Sequence, residues 1–178
     1  MMRSSYLKAS PEHLQQIRLH AERTYPEECC GLLLGTIAHE GKTLLEVWAT
    51  DNSWDGEDTE FLVNPSLSRC NRFSIAPEDL LKAQKNARDR NLAIIGVYHS
   101  HPDHPAMPSE RDRAIAWAEY SYLIVSVQQG RAQALGSWML DDEGQFQAQD
   151  IILPDSCRQS NPAMRYPFLE RATKTKRS

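Results

Sequence analysis

Leu92-Ala93-Ile94-Ile95-Gly96-Val97-Tyr98-His99-Ser100-His101-Pro102 is the stretch that decides the fold. Leu92 to Tyr98 is a continuous apolar run, as expected of a central strand covered on both faces. His99 and His101 follow at i and i+2, a spacing that puts both imidazoles on one face of a strand. After the proline-rich loop Asp103-His104-Pro105-Ala106-Met107-Pro108, Ser109 starts a helix that is expected to reach about Glu119.

Working toward the N-terminus, Pro77 opens a helix from Glu78 to about Arg90, with acids in its first turn and Arg88 and Arg90 in its last, which suits the helix dipole. Glu60–Asn64 reads as a short strand, Asp51 to Asp58 as a loop, and Thr43–Thr50 as an alternating strand. Cys29 to Gly35 is apolar and of strand length. Before it, Ser10 caps a helix to about Arg23, with Pro11 at its first position and Leu14, Ile17 and Ala21 on one stripe. Tyr25-Pro26 ends that helix. Toward the C-terminus, Tyr122–Val127 and Ala132–Leu140 are strands joined by a turn at Gln129-Gly130, and the periodicity stops past Pro154. The sum is an α/β domain of six or seven strands and three helices over residues 1–153, followed by a basic, poorly ordered tail at 154–178.

Composition narrows the function. A chain of 178 residues has room for one domain with a proper core. No apolar run approaches the roughly 20 residues needed to cross a bilayer. The N-terminus lacks a signal-peptide core. Residues 165–178 carry five basic side chains against one acid, +4, so the net −4 of the chain leaves −8 on residues 1–164. An acidic body is a poor nucleic-acid binder, and neither nucleic acid nor membrane is expected as a partner. Four scattered cysteines, with no C-x-x-C, read as reduced thiols of a cytoplasmic protein.

Three histidines within six residues (His99, His101, His104) suggest a metal site. Zinc takes nitrogen and carboxylate ligands, and catalytic sites use three from the protein. Asp112, in the first turn of the helix begun at Ser109, is the best third candidate. Ser109-x-x-Asp112 also reads as an ordinary helix start, with Ser at the N-cap and Asp near N3. There is no H-E-x-x-H, no deaminase H-x-E with P-C-x-x-C, and no phosphate-binding glycine fingerprint.

His99-Ser100-His101-Pro102, then Ser109-x-x-Asp112 with seven residues between His101 and Ser109, resembles the full signature of the JAMM (MPN+) metallopeptidases. Glu28-Cys29-Cys30-Gly31-Leu32-Leu33-Leu34-Gly35 is similar to the family's upstream element, a glutamate before a glycine-containing apolar run. The likeness covers about Ser10 to Val127. It implies a single MPN-like domain, a mixed curved sheet flanked by helices, with cytidine-deaminase-like layering. It also implies that His99, His101 and Asp112 bind one Zn²⁺ per chain, that Glu28 is the general base acting on water, and that Ser109 donates to the oxyanion. The family spacing picks Glu28 over Glu27, and His104 is left as a residue behind the ligands or in the loop. His13, His20 and His39 are expected at the surface.

The resemblance further implies cleavage of an amide bond at the C-terminal tail of a ubiquitin-like or sulfur-carrier protein. The short loops and the Tyr98-to-Pro105 phrase look like the compact prokaryotic branch. An extended tail is expected to add as a strand at an exposed sheet edge. Two alternatives stay open at this level: a non-catalytic MPN scaffold, and a zinc peptidase acting on unrelated peptides. Oligomeric state is not indicated.

Overall fold

The computed structural model describes residues 6–56 and 66–154. Among these, the elements run β1 (Tyr6–Lys8), α1 (Pro11–Thr24), β2 (Cys30–Ile37), β3 (Gly41–Thr50), α2 (Pro77–Asp89), β4 (Ala93–Pro102), α3 (Glu110–Ile115), β5 (Ser121–Gln128), β6 (Arg131–Leu140) and β7 (Phe146–Ile152). The strand expected at Glu60–Asn64 and the tail beyond Pro154 lie outside the described residues.

β4 sits in the middle of the structure because its side chains are covered on both faces. Ile95 and Tyr98 join Leu33 of β2 on the face packed by Ile17 and Ala21 of α1. Ile94 and Val97 join Leu32 and Leu34 on the opposite face, against Ala83 and Ala87 of α2. Ile94 and Val97 share a face although three apart, because the β2–β4 register shifts between Leu33 and Leu34. Each fully buried aliphatic side chain here contributes about 1.5–3 kcal/mol relative to exposure.

The sheet is mixed, in the order β1-β3-β2-β4-β5-β6-β7, and β1 closes it into a ring by pairing in parallel with both β3 and β7. β2 is antiparallel to β3 and β4, and β4 is parallel to β5, with α3 in the crossover. Among the described residues every strand of the ring has a partner on each side, but β1 covers β3 only over Gly41–Thr43 and leaves the rest of that β3 edge without a neighbouring strand.

α1 begins as its sequence predicts, with the Ser10 side chain accepting the His13 N–H. α3 is shorter than expected and stops at Ile115 instead of continuing to Glu119. Ala116 leaves the helix with an extended backbone, and the Trp117 N–H donates to the Tyr122 hydroxyl in place of a carbonyl one turn back. Trp117 and Tyr120 then stack at 5.7 Å.

Candidate metal centre

The parallel β4–β5 pairing carries β4 past Tyr98, so His99 and His101 are held in a hydrogen-bonded strand through Pro102. Both are buried. α3 brings the third donor: Ser109 caps it, Asp112 is its N3 residue, and each side chain accepts the other's backbone N–H. That reciprocal cap holds the buried Asp112 carboxylate at the end of β4.

The three donors meet. His99 Nε2 lies 3.0 Å from His101 Nε2 and 3.1 Å from Asp112 Oδ1, and His101 Nε2 lies 3.4 Å from Asp112 Oδ2. A tetrahedral zinc with ligand bonds of about 2.0–2.1 Å spaces its ligand atoms about 3.3 Å apart. The triangle fits such an ion. Among the described residues this is the one group of His, Cys, Asp or Glu so disposed.

The protonation pattern also suits a cation. His101 Nδ1 donates to the Pro105 carbonyl at 2.9 Å, which leaves the Nε2 lone pair facing the centre. Burial lowers the His99 pKa, against the pull of Asp112. For His101 the effect of burial is outweighed by Asp112, Pro105 and Glu28, so its pKa is raised. Burial would raise Asp112, yet His99, His101 and Ser109 hold its carboxyl far below the usual carboxylate range. The result is two imidazoles and one carboxylate converging in a buried site. Phe73 covers the outer face of this site, stacked on His99 with ring centroids 4.6 Å apart.

Glu28 is buried beside them, two residues before the first residue of β2. Burial pushes its carboxyl up to about 8, with Asp112 adding to the rise and His101 and Arg72 opposing it. A carboxylate poised near neutral pH is the protonation range that a general base needs. Gly31, three residues on, has a packing reason: a Cβ there would run into the Tyr98 ring and sit 2.5 Å from the Trp48 carbonyl oxygen. Tyr98 is fully buried, and its hydroxyl bonds His20 Nδ1 at 2.8 Å, so His20 is a half-buried partner of the core and not the surface residue expected.

The Ser109 hydroxyl donates to Asp112 Oδ2 at 2.7 Å, so in this state it serves the cap and the carboxylate. His104 lies in the exposed loop; its carbonyl accepts from Ser126 Oγ at 2.7 Å, and its ring is not among the converging donors. Phe73 and Pro105 carried no signal in the sequence, because each acts through a contact made only in the folded chain. A groove of about 690 Å³ starts at Phe73 and runs between Trp54, Ile75, Trp117 and Tyr120.

The family model for prokaryotic homologues of the JAB domain matches residues 10–141. The chain belongs to that family. A desampylase of Pyrococcus furiosus is 26% identical to this JAB-domain chain over 144 residues, 80% of this chain and 88% of the relative. A probable TtuB-protein conjugate cleaving protease of Thermus thermophilus is 30% identical over 119 residues, 67% and 69% of the two chains. The solution structure of a Salinibacter ruber protein is similar with a TM-score of 0.62 at 36% identity, covering 83% of this chain and 92% of that one. No helix among the described residues of the JAB-domain chain is long and apolar enough to cross a membrane.

Proposed function

We propose that this JAB-domain chain is a zinc-dependent peptidase that cleaves an amide bond at the C-terminal tail of a ubiquitin-like or sulfur-carrier protein. The observation that carries the reading is the buried triangle of His99, His101 and Asp112 donor atoms with Glu28 beside it. The relatives named as a desampylase and as a conjugate-cleaving protease support the class of bond. The intact donor set speaks against a scaffold that has lost its chemistry.

In this reading His99, His101 and Asp112 hold one Zn²⁺, and the Pro105 carbonyl fixes the His101 tautomer. When bound, the ion supplies Lewis acidity to water and to the scissile carbonyl. Glu28, deprotonated, takes a proton from water at its carboxylate and returns it to the leaving nitrogen. Ser109 turns its hydroxyl from Asp112 to donate to the oxyanion. The aromatic groove from Phe73 to Trp117 receives the extended tail. Cys29, Cys30 and Cys70 are free thiols, which suits the cytoplasm, where the proposal places the enzyme.

The deciding experiment is an intact-mass assay on a sulfur-carrier protein extended by one or two residues beyond Gly-Gly, with and without chelator. Chelator-sensitive loss of only those residues is the expected result. No cleavage by protein shown to hold zinc overturns the substrate assignment.

A further inference from the structure

Glu28 is not held by the sheet. β2 begins at Cys30 and pairs there with His99, so the main chain of Glu28 lies outside the ladder. Its N–H instead donates to the Arg69 carbonyl at 2.7 Å. Its carbonyl accepts from Asn52 Nδ2 at 3.1 Å. Both polar groups of the Glu28 backbone are thus satisfied by the stretch between β3 and α2.

Asn52 is the hub of that stretch. Its Nδ2 donates a second time, to the Arg72 carbonyl at 2.9 Å. Its Oδ1 accepts from the Trp54 N–H at 3.1 Å and the Ser74 N–H at 3.2 Å. Two donors and two acceptor sites are the whole capacity of a primary amide, and all are used. The arrangement also fixes the amide's orientation, since a flip would set Oδ1 against two carbonyl oxygens and Nδ2 against two N–H groups. One side chain therefore ties Glu28 to the segment that carries Phe73, the ring stacked on His99. Neither Asp nor Ser reproduces this pattern, because neither offers two donors together with two acceptors.

We propose that Asn52 is a positioning residue for Glu28: through its four hydrogen bonds it locks the backbone of the base and the Phe73 segment into one geometry around the metal centre. The assignment rests on Glu28 being the base, as read above. The hydrogen bonds of Asn52 reach none of His99, His101 and Asp112. Its loss shifts the Glu28 carboxylate and slows turnover without loosening substrate binding or the ion.

The test uses Asn52→Ala and Asn52→Asp in the full chain. Asp keeps the two acceptor bonds to Trp54 and Ser74 that hold the loop, and loses the donors to Glu28 and Arg72, so it serves if the Ala variant does not fold. Against a tail-extended carrier, kcat is expected to fall about 10- to 100-fold, as a displacement near 1 Å produces. KM stays within about twofold on the same reasoning, and zinc remains at one per chain. Ser137→Ala, which removes a buried bond between β6 and β7 that involves none of Asn52, Glu28 and the metal-site residues, is the control for lost stability and retains wild-type kcat. An Asn52→Asp enzyme with wild-type kcat overturns the proposal. So does one whose zinc is lost, or whose KM alone rises. If wild type cleaves no carrier, the functional reading fails on its own, and crystal structures decide the positioning claim: a displaced Glu28 carboxylate in Asn52→Asp supports it, and an unmoved one overturns it.

Discussion

His101 Nδ1 lies 2.9 Å from the carbonyl oxygen of Pro105, four residues further along the chain. The loop that leaves β4 thus returns to orient the imaginary plane of the second imidazole, and no side chain is needed to do so. A backbone acceptor at this point cannot be removed by a point mutation, which places the sensitivity of the centre on its other members.

Asp112→Ala is expected to lose the zinc and part of the fold's stability together. The carboxylate faces both imidazoles and also caps the Ser109 end of α3. Metal analysis is expected to drop from one ion per chain to near none, and the loss of the cap costs about 1 kcal/mol in the metal-free proteins compared by urea unfolding. Retained zinc would mean that Asp112 is a cap only.

Glu28→Gln keeps the zinc and loses nearly all turnover. It also carries a pH signature in the metal-free protein. Burial raises the Glu28 carboxyl from 4.5 to about 8, so folding favours its protonated form. The stability it contributes is full below pH 4.5 and is lost as pH rises toward 8, a change on the order of a few kcal/mol. Urea midpoints of metal-free wild type and Glu28→Gln, taken at about pH 5 and about pH 8.5, are expected to diverge in favour of Gln at the higher pH. Parallel behaviour would place the carboxyl in water.

Ser109→Ala separates the cap that the structure shows for this hydroxyl from the oxyanion role that we propose for it. Loss of the cap lowers stability by about 1 kcal/mol. Loss of an oxyanion donor lowers the rate by about 10²- to 10³-fold. Both effects are expected, read by thermal melts and by steady-state kinetics. An unchanged rate in a less stable protein assigns Ser109 to the cap alone.

Gly31→Ala forces a methyl group against the Tyr98 ring and to within 2.5 Å of the Trp48 carbonyl oxygen. The ring is fully buried and its hydroxyl is tied to His20, so neither side yields easily. A loss of about 1–3 kcal/mol is the ordinary scale for such overpacking. Denaturant midpoints check it, and a variant as stable as wild type would mean that β2 and β4 can separate.

The parts of this architecture that were legible in the sequence depend on short-range rules. Alternation places His99 and His101 on one side of β4, and the Ser109–Asp112 spacing builds a cap whose carboxylate points back to them. The apolar run of β4 declares a strand buried on both faces, and α1 and α2 supply the covers. What stayed hidden depends on partners far along the chain. β1 is three residues long, and β7 buries Gln149 through a bond to Ser137, so neither carries a strand pattern of its own. α3 stops early because Tyr122 takes the Trp117 N–H. Asn52 and Phe73 reach Glu28 and His99 from a segment with no periodic signal.

Ring closure sets the order in which the molecule can be completed. Tyr6 pairs with Asp150, so β1 finds one of its two neighbours only in β7, the last of the described strands. Until β7 exists, Leu7 has the β3 side of its ladder alone, and β6 ends the sheet as an open edge. Pairings of such long sequence separation slow folding and expose strand edges meanwhile. The nascent chain can assemble β2, β4 and β5, and the histidines with them, well before the ring that surrounds them is shut.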